Sequence, residues 1–110
     1  MDLQQYEECG IGSAETRFHT FARQEPLVLR SGETIGPVTL SYETHGQLNA
    51  NRDNAILVFH ALTGDQFVTG TNPITNKEGW WAAAVGPGQA IDTNKYFVIC
   101  ANVIGGCMGS

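Results

Sequence analysis

Two short segments of this chain hold most of the residues that could do chemistry. One is His60-Ala61-Leu62-Thr63-Gly64-Asp65, which follows the apolar run 55–59; the other is Val103-Ile104-Gly105-Gly106-Cys107-Met108-Gly109-Ser110, which follows the apolar run 96–101. In open sheets of parallel strands, ligands bind beyond the carboxyl ends of the strands, and both segments stand there. In the first, the backbone N–H of Leu62 could face an oxyanion. Such a donor helps because it is fixed before charge develops, and losing a comparable one costs roughly 3 kcal/mol. A plainer reading stands beside it: His60 closes a strand and Leu62 merely packs. The second segment invites a phosphate reading and does not sustain it. Gly106 and Gly109 fit the last two positions of G-x-G-x-x-G, but Ile104 occupies the first, and no Gly-Lys-Ser/Thr phosphate loop occurs.

The remaining reactive side chains are scattered. Cys9, Cys100 and Cys107 are odd in number and lack the short paired spacing of a zinc site or a redox pair. They are expected to be reduced thiols. Cys107 has no adjacent base, so loop packing is its expected role. His19 falls in an N-terminal arm, His45 in a turn and His60 at a strand end, and none is expected to be a general base. Ser110 follows Gly-Cys-Met-Gly, not the G-x-S of a nucleophile elbow. No metal set is expected.

The elements that must position these segments follow from periodicity. Residues 1–25 show no sustained period and are expected to form an irregular arm, with Phe18 and Phe21 as anchors. The run 26–30 ends at the turn signal Ser31-Gly32. Residues 38–44 alternate apolar and polar as a strand with one wet face does, so an antiparallel hairpin of these two runs is expected. Ala55-Ile56-Leu57-Val58-Phe59 and Tyr96-Phe97-Val98-Ile99-Cys100-Ala101 are apolar without alternation, the pattern of parallel strands buried on both faces. Between them, residues 61–94 suffice for a crossover, and 79–85 is its helix candidate, stopped by Gly86-Pro87-Gly88. Asp92-Thr93-Asn94 reads as a turn before the fourth strand. The expectation is therefore an α/β architecture, an antiparallel hairpin leading into a parallel sheet over residues 26–110. It is incomplete, with the fourth strand left as an exposed edge.

Composition narrows the functional classes. The chain has 110 residues, is 42% hydrophobic and carries a net charge of −5, which fits a globular domain better than a self-repelling disordered tail. Arg17, Arg23, Arg30, Arg52, Lys77 and Lys95 are the six basic residues. They are spread singly, which argues against a nucleic-acid partner. No window is long and apolar enough to span a membrane, and the acidic start lacks the features of a signal peptide. A cytoplasmic location is expected. Glycine is abundant, with 13 residues.

In order along the chain stand Arg30-Ser31-Gly32, the stretch 40–49 (LSYETHGQLN), the stretch 54–64 (NAILVFHALTG), Gly79-Trp80-Trp81, Val85-Gly86-Pro87-Gly88, Ile91-Asp92-Thr93, the stretch 96–102 (YFVICAN) and the stretch 105–110 (GGCMGS). From about Phe18 onward this resembles the N-terminal part of homoserine O-acetyltransferases of the α/β-hydrolase type. The resemblance implies a ping-pong reaction. An elbow serine takes an acetyl group from acetyl-CoA and passes it to the hydroxyl of L-homoserine, with an Asp–His pair as proton carrier. It also implies a cytoplasmic homodimer in methionine biosynthesis, without metal or prosthetic group. Carried onto this chain, the Leu62 amide is one oxyanion-hole donor, and Ala61, Thr63 and Gly64 line the acyl site.

In such proteins the serine elbow and its Asp and His lie after the 105–110 loop, so these 110 residues alone are expected to be inactive and poorly folded. A succinyl donor or an L-serine acceptor is the alternative within the family; a non-catalytic fragment or binding module is the alternative outside it. Trp80 and Trp81 are expected to fix a helix on the sheet, with shaping of the acyl-donor entrance as the alternative. Asp65 is expected to bond nearby backbone amides, with lining the site mouth as the alternative.

Overall fold

A computed structural model describes residues 14–110; Cys9 and the rest of residues 1–13 lie outside the described residues. Among the described residues there are eight strands: β1 (Arg17–Phe21), β2 (Leu27–Val28), β3 (Thr34–Ile35), β4 (Val38–His45), β5 (Ala55–Val58), β6 (Val85–Gly86), β7 (Ile91–Asp92) and β8 (Phe97–Ala101). The principal sheet has the order β1-β4-β8-β5. Here β1 and β8 run antiparallel to β4, and β5 runs parallel to β8. The parallel pair is the one expected from the two unalternated apolar runs.

Four expectations are corrected. The run 26–30 does not pair with 38–44. Instead β2 pairs with β3, Leu27 opposite Ile35, because the turn after Leu29 closes locally through Leu29 N–H to the Glu33 carbonyl and Gly32 N–H to the Leu29 carbonyl. The partner of β4 comes from the supposed irregular arm: Arg17–Phe21 forms β1, with His19 opposite Leu40. The fourth predicted strand, β8, lies between β4 and β5 and is not an edge; β1 and β5 are the edges.

The fourth correction concerns 79–85: residues 80–84 form successive turns, Val85 opens β6, and no helix occurs among the described residues. Its own bonds are short and mixed, Ala82 N–H to the Gly79 carbonyl and both Ala84 and Val85 N–H to the Trp81 carbonyl, before Val85 enters β6. Trp80 N–H donates to the Phe67 carbonyl (3.0 Å) and Trp81 N–H to the Val68 carbonyl (2.8 Å). The stretch is also too short to recover the cost of helix nucleation. Trp80 and Trp81 therefore anchor no helix. Their rings stack on each other, 5.9 Å between centroids, and both stay partly exposed.

The alternation of β4 is present, but its faces are the reverse of the simplest expectation. Ser41, Glu43 and His45 are buried, while Leu40 and Tyr42 are only half-buried. On the buried side Glu43 stands opposite Cys100 and His45 opposite Val98. That side is covered by the loop 65–72, and Val58, Val68, Val85, Val98 and Cys100 form the apolar core there, flanked by Ile56 and Ile91. The other side is open: Leu57 is 56% and Phe59 79% exposed, along a groove of about 440 Å³ that Leu40, Val103 and Ile104 also line.

Candidate functional site

The carboxyl ends of β5 and β8 bring the two chemistry-bearing segments side by side. After β5 the chain makes a four-residue turn, with Gly64 N–H donating to the Ala61 carbonyl at 2.8 Å. Leu62 takes the second position of this turn and is 99% exposed. Its side chain meets solvent rather than other described residues. A hollow of about 230 Å³ lies beside the turn, lined by Thr63, Gly64, Asp65, Phe67 and Trp80 among others.

His60 bridges the two loops. Val103 N–H, just past β8, donates to His60 Nε2 at 3.2 Å, and His60 Nδ1 lies 2.6 Å from the Ala61 carbonyl oxygen. Both ring nitrogens are therefore engaged. Asp65 is tied down on both its groups. Its carboxylate accepts Phe67 N–H at 2.9 Å, the loop role expected for it. Its carbonyl accepts the Trp80 indole N–H at 2.9 Å and the Cys100 thiol at 3.7 Å. So Trp80 secures the segment following the turn.

The glycine-rich segment after β8 folds back onto β4. Ser41 Oγ–H donates to the Met108 carbonyl at 2.7 Å, and the Gln66 amide donates to the same oxygen at 3.2 Å. Ser110 Oγ–H donates to the Asn102 carbonyl at 2.7 Å and accepts Ser41 N–H at 3.0 Å. Ser110 is thus a loop fastener, in keeping with its lack of an elbow context. Gln66 and Asn102 are fully buried, and neither was singled out in the sequence. A polar residue directly after an apolar strand, as Asn102 is, was the available signal.

Among the histidines, His45 is corrected: it ends β4, buried, with Nε2 3.2 Å from Glu43 Oε2. His19 lies in β1. Of the thiols, Cys107 is exposed, whereas Cys100 is buried and free. Burial, aided by the negative charges of Glu43 and Asp65, pushes the Cys100 thiol up to about 12, which makes it a core thiol and no nucleophile. Asp92 accepts N–H bonds from Gly88 and Asn94, each 2.9 Å, in the turn expected there. Those bonds hold its carboxyl below the usual range.

Glu43 carries a pH signature. Burial raises its carboxyl above the ordinary value of 4.5, against the opposing hydrogen bond and charge of His45 and with a smaller push from Asp65. A raised folded pKa means the native state holds the proton more tightly than the unfolded chain. Its stabilising contribution is full below 4.5 and is lost as pH rises through the raised value. Glu43→Gln is expected to remove that part of the fall in stability with rising pH. Urea midpoints measured across the acidic range check this; a variant with the parent's pH slope contradicts it.

No protein-family model matches the chain. It is 73% identical over 86 residues to homoserine O-acetyltransferase of Pelagibacter ubique, covering 78% of this chain and 23% of that protein. Its backbone matches the crystal structure of homoserine O-acetyltransferase from Bacillus anthracis with a TM-score of 0.71 at 37% identity, covering 81% of this chain and 23% of that one. Esterase E22 matches with a TM-score of 0.72 at 29% identity, over 81% of this chain and 24% of the esterase. The chain thus spans about a quarter of the length of the relatives it matches. No helix among the described residues is long and apolar enough to cross a membrane. By sequence and by backbone alike, the chain carries part of an α/β-hydrolase fold, in the form found in homoserine O-acetyltransferases.

Proposed function

We propose that this segment serves an acyltransferase that moves the acetyl group of acetyl-CoA to the hydroxyl of L-homoserine through an acyl-serine intermediate. One observation carries the reading: the Leu62 turn is held at the carboxyl end of β5 with the Leu62 side chain meeting solvent, in a sequence 73% identical to a protein of that name. In this reading the Leu62 N–H takes part of the charge on each tetrahedral oxyanion, once when serine attacks the thioester and once when homoserine attacks the acyl-serine. Ala61, Thr63 and Gly64 floor the acyl site. In this reading the serine, aspartate and histidine of the triad are not among these 110 residues, and the 110 residues by themselves do not turn over. The resemblance further supports a cytoplasmic homodimer.

The likeness to esterase E22 favours one second reading, in which water replaces homoserine as acceptor. Both share the acyl-serine half-reaction and differ in who attacks it. Incubation of the complete polypeptide carrying this sequence with acetyl-CoA and homoserine separates them. O-acetylhomoserine in the product mixture supports the transferase, and acetate alone supports the hydrolase. Mass spectrometry without acceptor is expected to find one acetylated serine. The 110 residues alone are expected to release no coenzyme A above the uncatalysed rate; measurable turnover by them overturns the placement of the triad.

A further inference from the structure

We propose that His60 is a positioning residue: its ring, protonated on Nδ1, sets the direction of the Leu62 N–H and locks the β5 loop to the β8 loop. The inference rests on the reading of Leu62 as an oxyanion donor. It starts from the Val103 N–H, which donates to His60 Nε2 at 3.2 Å. A ring nitrogen that accepts carries no proton, so the proton of the neutral ring sits on Nδ1. Nδ1–H therefore donates to the Ala61 carbonyl at 2.6 Å, and the same oxygen accepts Gly64 N–H at 2.8 Å. Two donors thus hold the Ala61 oxygen on the inner side of the turn. The 61–62 peptide is planar and trans, so its N–H points opposite to its carbonyl. Fixing the Ala61 oxygen inward fixes the Leu62 N–H outward, where the Leu62 side chain is also fully exposed.

The same geometry sets His60 apart from a general base. Its one basic nitrogen is taken by Val103 N–H, and its one proton is committed to a backbone carbonyl. The opposite tautomer would turn a donor toward Val103 N–H and a lone pair toward the Ala61 oxygen, two repulsive contacts. If the 61–62 peptide flipped, its carbonyl would face outward and reject the charge the N–H is there to receive.

Three substitutions and one spectrum test this in the complete polypeptide. His60→Phe keeps a ring and removes both bonds; kcat for acetyl transfer is expected to fall about 100-fold with KM for acetyl-CoA within about threefold. His60→Asn places an amide N–H where Nδ1 stood, and is expected to regain at least about tenfold of that loss. His60→Gln keeps an acceptor toward Val103 and lacks the Nδ1 donor, and is expected to stay near the His60→Phe value. Equal losses in the Asn and Phe variants overturn the proposal. So does loss of one limb of the pH–rate profile in His60→Asn, which would mark a proton carrier. Independently of activity, the imidazole ¹⁵N shifts of histidine-labelled protein are expected to report His60 protonated on Nδ1; an Nε2–H ring overturns the proposal. Failure of the underlying reading shows differently: the Nδ1–H ring persists, and deleting the Leu62 N–H leaves acetyl transfer untouched.

Discussion

If the proposed acetyl transfer uses the Leu62 amide, Leu62→Pro is expected to lower kcat of the complete polypeptide by about 100- to 1,000-fold, the effect of losing one oxyanion donor. Proline removes the backbone N–H and nothing else that the turn needs. Leu62 holds the second position of the Ala61-to-Gly64 turn, where the fixed φ of proline is favoured. Its side chain is 99% exposed, so no packing is lost. The informative comparison is Leu62→Ala, which keeps the N–H. The proline variant should lie at least about 50-fold below the alanine variant in kcat, with similar urea midpoints. If both variants transfer acetyl groups equally well, the Leu62 amide is not an oxyanion donor.

Gly79→Ala should be a strongly destabilising small substitution, at about 1–3 kcal/mol or somewhat more. A methyl group at Gly79 would run into the backbone of Val68 and Thr69, and backbone atoms have no rotamer by which to withdraw. Gly79 N–H also donates to the Gly70 carbonyl at 2.8 Å, so the contact cannot open without losing that bond. Displacing the 79–81 turns also drags the Trp80 indole from the Asp65 carbonyl, next to the Leu62 turn. Gly88 offers the contrast. It sits at φ +71° with nothing within 4 Å of an added methyl group, and Gly88→Ala should cost about 1 kcal/mol from its left-handed backbone alone. Urea denaturation of both variants checks the order. If Gly79→Ala proves no worse than Gly88→Ala, the close approach of these loops is not a constraint.

The residues that were legible in the sequence are those whose role is local. Unalternated apolar runs marked β5 and β8, and their parallel pairing follows from the long connection between them; the expected burial of both faces does not hold for β5, whose Leu57 is exposed. Asp65 and Asp92 were readable as loop aspartates because an aspartate bonds backbone amides two residues away, whatever the rest of the chain does. The position of the Leu62 turn, directly after an apolar strand, was readable in the same way. Gly79-Trp80-Trp81 starts no helix because Val85 is drawn into β6 by its parallel pairing with Ile91. That leaves too few residues to recover the cost of helix nucleation.

Which face of β4 is buried could not be read from its period. Alternation shows that two faces exist; what covers each depends on chain distant in the sequence. The loop 65–72 covers the polar face and encloses Glu43 and His45, and β1 supplies an edge partner from a stretch with no pattern of its own. The tautomer of His60 is of the same kind. It depends on the amide of Val103, 43 residues along the chain, and only the adjacency of β5 and β8 brings the two together. By itself, then, the sequence determined the likeness to homoserine O-acetyltransferases, the parallel strand pair and the site of the exposed turn, all properties of contiguous residues. The tertiary structure alone decided which way that turn's N–H points, because hydrogen bonds from two loops converge on one imidazole ring.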